Sequence, residues 1–208
     1  MLPYLKGLMP PLFLVGHLAA IVTLWLGLVN PSWALFTFSA YLNTRRLTLQ
    51  VGSTNSTIDR VTIDVPGNAI SPNPSAVNGS SNGPSTTPAG GVEIRAYMGY
   101  TNSAASNSFR LTVNSSTGLS CVSGSGCGST IMPFSTIGWT SYNHDSIYPT
   151  FDIQDGQFNA SSAQTLANFN VLGGSLTMTN ILVFNYNSAT IYPAGQYTGR
   201  VTYTATLP

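Results

Sequence analysis

At 208 residues, the chain has 6% charged residues and a net charge of +1. A soluble domain typically has about 25% charged residues; here Ser, Thr, Asn and Gly stand in their place. Charge this sparse excludes a surface that tracks phosphates, so no nucleic-acid partner is expected, and 11% aromatic residues exclude a disordered composition.

Residues 1–34 carry an export pattern. Lys6 precedes the apolar run PLFLVGHLAAIVTLWLGLV (11–29), and in PSWA the small residues Ser32 and Ala34 sit where a signal peptidase reads. The expectation is a signal peptide over 1–34, which is also the chain's only association with a membrane. An uncleaved anchor is the alternative, because the run approaches spanning length. The mature chain, 35–208, is then secreted.

The next stretch changes parity. Phe36, Phe38, Ala40 and Leu42 fall on even positions, whereas Leu47, Leu49 and Val51 fall on odd ones, with the polar NTRR (43–46) between. In a strand, a one-residue slip moves the apolar set to the opposite face. This predicts an N-terminal extension over 35–46, an apolar strand followed by a polar hinge, ahead of a domain over 47–208. An ordinary first strand with a bulge at NTRR is the competing reading.

Within the domain, LTLQV (47–51) and TIDRVTIDV (57–65) read as strands by alternation and β-branching. Residues 66–91 are rich in Pro, Gly, Ser and Asn and predict one long loop. Strands follow over 92–100 and 108–116, one or two short ones over 129–143, then 151–159, 164–173 and 175–187. At the C-terminus, Tyr197, Val201, Tyr203, Ala205 and Leu207 share odd positions, while Thr198, Thr202, Thr204 and Thr206 face the other way. That predicts a half-buried strand with a polar outer face. Eight to ten short strands without a convincing helix predict an antiparallel β-sandwich.

Chemistry is thin. Cys121 and Cys127 predict a disulfide closing a tight loop in an exported chain. The sole histidine after residue 34, His144, adjoins Asp145, and an adjacent pair does not place three side chains in separate catalytic roles. Asn143, Asp145, Asp152 and Asp155 supply oxygen donors, but their spacing matches no calcium loop, and Asp152 and Asp155 fall on opposite faces of a strand, against a paired-carboxylate site. No enzyme activity, metal or cofactor is expected. Trp139, Tyr142 and Tyr148 offer aromatic faces for a sugar.

The export signal, the alternating extension with its small residue Ala40, and the ending AGQYTGRVTYTATLP together resemble the pilins of chaperone–usher systems. The Gly-Thr-Tyr-rich ending is also similar to that of spore-coat-U-type secreted sandwiches. The resemblance implies an incomplete immunoglobulin-like sandwich, completed by the extension of a neighbouring copy through β-strand addition. Phe36, Phe38, Ala40 and Leu42 would be the donor. An apolar groove beside the C-terminal strand (Tyr197, Val201, Tyr203, Ala205, Leu207) would be the acceptor. The implied partners are copies of the same chain, a periplasmic chaperone and an outer-membrane usher, and the implied location is a cell-surface fibre, or fimbrium. Two departures stand out: the cysteines are six positions apart, and the chain ends in TLP rather than with a penultimate Tyr. The competing function is a monomeric secreted carbohydrate-binding module.

Overall fold

A computed structural model describes residues 38–42, 45–53, 60–69, 75–100, 106–172 and 174–208, all within the unit Ala34–Pro208. The expected signal segment 1–34 and the donor position Phe36 lie outside the described residues.

The described elements begin with β1 (Phe38–Leu42), β2 (Arg45–Val51) and β3 (Val61–Thr62). A 3-10 turn (Gly67–Ala69) leads to β4 (Val77–Asn78) and β5 (Ser80–Ser81). Two long strands follow, β6 (Val92–Tyr100) and β7 (Ser106–Asn114), then β8 (Leu119–Cys121) and β9 (Ile131–Met132). After a 3-10 turn (Phe134–Thr136) come β10 (Ile137–Tyr142), a further 3-10 turn (Pro149–Phe151) and β11 (Gly156–Gln157). The chain closes with β12 (Gln164–Leu172), β13 (Ser175–Tyr186), β14 (Tyr197–Thr198) and β15 (Thr202–Thr206).

The protein is all-β, built from several antiparallel sheets in a sandwich-like arrangement. The largest runs β1-β2-β6-β13-β10-β11, with β4 also on β13, and the second runs β12-β7-β15. Both feed one core: Val92, Ile94, Ala96 and Met98 from β6 pack in the same cluster as Phe109, Leu111 and Val113 from β7. On β6 the alternating partners Glu93, Arg95 and Tyr97 are not buried, which is the period of two expected of a sheet with one face on the core. There are also two smaller sheets among the described residues, β14-β8-β9 and β3-β5.

The parity change near the N-terminus has a simple origin. β1 pairs antiparallel with β2 in the register Phe38↔Leu49, Ala40↔Leu47, Leu42↔Arg45. Two residues separate the last partners, the spacing of the commonest β-hairpin. In such a hairpin the numbers of opposed residues add to an odd constant, so even positions on β1 oppose odd positions on β2. Cross-strand partners share a face, and Leu47 and Leu49 are buried on theirs. Neither a bulge nor a slipped register is needed.

Three further expectations change. Residues 66–91 are not one loop: Val77 and Asn78 pair with Tyr186 and Asn185, and Ser80–Ser81 pair with β3. Gly79 allows this close docking, since a Cβ there would stand 2.6 Å from Val61 Cγ1. The strand expected over 151–159 is mostly irregular, because Pro149 opens a 3-10 turn and only Gly156–Gln157 joins a ladder. The C-terminal strand is two: Tyr197 pairs with Cys121 on β8, and Thr202–Thr206 pair with β7.

Candidate functional site

Among the described residues, β1 and β15 each end a sheet. β1 borders only β2, and β15 borders only β7, at the edge of the three-stranded sheet. β15 also packs against β2, so the two edges lie on the same side of the fold. Along β15 and its flanks, Val201, Tyr203, Ala205 and Leu207 are half-buried, and the intervening Thr202, Thr204 and Thr206 are exposed. On the adjacent β7, Phe109, Leu111 and Val113 are each 0% exposed. β15 and β7 thus differ sharply in cover; of the two edge strands of this sheet, β12 buries Ala167 and Phe169, and β15 is the less covered. Burial pushes the Tyr203 phenol well above its ordinary pKa by disfavouring the phenolate. Tyr197, expected with this set, stands apart on β14, where its hydroxyl donates to the Pro193 carbonyl at 2.8 Å.

The segment after β10 is held by a chain of side-chain hydrogen bonds. Asp145 Oδ1 accepts from the backbone N–H groups of Ile147 (2.7 Å) and Tyr148 (3.0 Å). The Asp145 N–H donates to Asp152 Oδ2 at 2.7 Å, and Asp152 Oδ1 accepts from Asn180 Nδ2 at 3.0 Å. Asn180, fully buried on β13, accepts in turn from the Ile153 N–H at 3.0 Å. Asp155 Oδ1 accepts from the Ser141 N–H at 2.7 Å. The Asp145 and Asp152 carboxylates therefore anchor loop backbone, and Asp155 holds the backbone of β10. Among the described residues, no group of three or more His, Cys, Asp or Glu is placed to hold a metal ion.

The aromatic set divides. Trp139 is 5% exposed, packed against Phe158 and Phe184, and its indole N–H donates to the Gln154 carbonyl at 2.9 Å. It is a core residue and offers no sugar-stacking face. Tyr142 and Tyr148 are exposed, joined by Ile147, which the sequence reading had passed over. An isolated isoleucine in the polar run SYNHDSIYP was the signal available. His144 is exposed in the same loop.

The disulfide expected from the sequence is present between Cys121 and Cys127, and it ties β8 to the following loop. Gln50, Gly52, Pro84, Ser85, Thr86, Gly91 and Glu93 line a depression of about 180 Å³. Among the described residues, no helix is long and apolar enough to cross a membrane. Comparison with known proteins gives no match to a family model, a curated sequence or a solved structure.

Proposed function

We propose that the protein is a structural subunit of an extracellular fibre, assembled by strand donation. In this reading the N-terminal strand, with Phe36, Phe38, Ala40 and Leu42, leaves its own β2 and adds to the open edge of β15 in the next copy. The observation that carries it is the contrast between β15 and β7. The inward residues of β15 are half-covered and, among the described residues, its outer backbone edge has no partner strand in its sheet, which is the surface that an added strand completes. β1 suits the donor role because it is itself terminal in its sheet, so its departure breaks one ladder only.

An immunoglobulin-like sandwich short of one strand is the finer fold assignment that belongs to this reading. A periplasmic chaperone and an outer-membrane usher are the partners it implies, and the chain itself has no catalytic role. A surface of Thr, Ser and Asn with few charges lets subunits pack without like-charge repulsion.

The test is electron microscopy of material sheared from producing cells, combined with N-terminal sequencing of the purified protein. Fibres whose subunits begin at Leu35 are expected. Soluble monomers with that same N-terminus would overturn the reading, because β1 would then complete only its own sheet.

A further inference from the structure

Ile147 and Tyr148 are 74% and 50% exposed, and Tyr142, at the end of β10 where this segment begins, is 41% exposed. Large apolar groups on a slack loop would collapse onto the nearest surface. These are prevented from doing so. The Asp145 carboxylate fixes the backbone of both Ile147 and Tyr148, Asp152 fixes Asp145, and buried Asn180 fixes Asp152. The Tyr148 carbonyl accepts from the Phe151 N–H at 2.9 Å, closing the turn from the other end.

The Tyr148 ring is equally fixed. It stacks on Phe151 at 5.1 Å between centroids and 11° between planes. Phe151 stacks on Phe169 at 4.6 Å, and Phe169 meets Phe109 of the core at 4.9 Å. A column of four rings thus runs from the core to the surface. Phe151 takes one face of Tyr148, and Tyr148 as a whole remains 50% exposed.

We propose that this loop is a binding platform for a neutral saccharide, with the exposed part of Tyr148 as its floor and Ile147 and Tyr142 as its further exposed apolar groups. The C–H face of a pyranose ring is apolar and carries partial positive charge, which suits the negative face of an aromatic ring. His144, Ser146 and Thr150 are exposed in the same loop and supply short hydrogen-bonding groups for ring hydroxyls. A charged ligand fits poorly. The carboxylate oxygens of Asp145 and Asp152 named above are spent on N–H groups, and the chain's net charge is only +1. A protein partner needs about 800 Å² per side, and three part-exposed side chains supply roughly 300 Å². A rigid platform also loses little conformational freedom on binding, which favours a small ligand. The platform is independent of strand donation and holds for a monomer or a polymerised subunit.

The test is affinity electrophoresis of the purified protein through gels containing soluble β-glucan, galactomannan or starch, with a polysaccharide-free gel as reference. Retardation in at least one gel is expected, with Tyr148→Phe retarded like the wild type and Tyr148→Ala about tenfold weaker, equivalent to about 1.4 kcal/mol. Circular dichroism of Tyr148→Ala should match the wild type, since the side chain is half outside the fold. Free migration of the wild type in every gel overturns the proposal. So does unchanged retardation of Tyr148→Ala, or loss of retardation in Tyr148→Phe. Self-association that Tyr148→Ala abolishes, without retardation of the wild type, would reassign the patch to a second copy and equally overturn it.

Discussion

Replacing Asp152 with Ala tests the hydrogen-bonded chain that fixes the loop after β10. The substitution removes the acceptor of two bonds, from Asn180 Nδ2 and from the Asp145 N–H. Each bond to a charged acceptor contributes about 1.5–3 kcal/mol. The losses are unequal. Asp145 is an exposed residue, and water can reach its N–H once the carboxylate is gone, which recovers part of the cost. Asn180 is 0% exposed, and its Nδ2 would lose this acceptor while its Oδ1 keeps the Ile153 N–H. The net destabilisation expected is about 2–4 kcal/mol. For a chain of this size, each kcal/mol shifts Tm by roughly 2–4 °C, so Tm should fall by about 10 °C. Thermal unfolding followed by circular dichroism measures this directly. Combining Asp152→Ala with Asn180→Ala should cost less than the sum of the two, with a coupling of about 1–3 kcal/mol. A Tm for Asp152→Ala within about 2 °C of the wild type would refute the reasoning, as would strict additivity in the pair.

Three further outcomes are expected. Phe38→Asp should leave the protein folded and monomeric but abolish fibres in micrographs of sheared cell-surface material; normal fibres from this variant would count against donation through β1. Burial raises the Tyr203 pKa, so above about pH 10 the unfolded chain loses that proton while the folded chain keeps it, and stability falls as pH rises. Tyr203→Phe should flatten this alkaline decline in urea-unfolding series at pH 9 to 11, and an unchanged slope would show that the phenol is not responsible. Replacing both Cys121 and Cys127 with Ser opens a ring of about seven residues and should cost about 2.4 kcal/mol by chain entropy, read as a lower urea midpoint.

The all-β class was legible because its long strands follow period two on a single core. β6 was read at its observed bounds, and β12 and β13 to within a residue. What escaped was set by partners distant in sequence. Val77–Asn78 and Ser80–Ser81 have no apolar alternation of their own; they become strands because the backbones of β13 and β3 offer them ladders. The segment 151–159 alternates like a strand, yet a proline at the start of its turn and the Asn180 side chain, which accepts the Ile153 N–H, take its backbone elsewhere. At the candidate sites, the alternation of Tyr203, Ala205 and Leu207 pointed to a sheet surface. That this strand is an edge is a property of the whole topology. Trp139 could not be separated from Tyr148 by composition. Phe158 and Phe184 enclose the one, and Phe151 supports the other from beneath.

The hairpin at the N-terminus also sets how the molecule responds to force. β1 and β2 are two residues apart in sequence, so the Phe38 end of β1 lies at the mouth of the hairpin, paired with Leu49. A pull at that end, directed away from β2, loads the backbone pairs in succession. Tension at Phe38 meets a small resistance repeated along five pairs, never five resistances at once. β2 stays seated meanwhile, because β6 holds its other side through seven pairs. The first strand can thus be peeled away under a load that leaves the rest of the sheet intact.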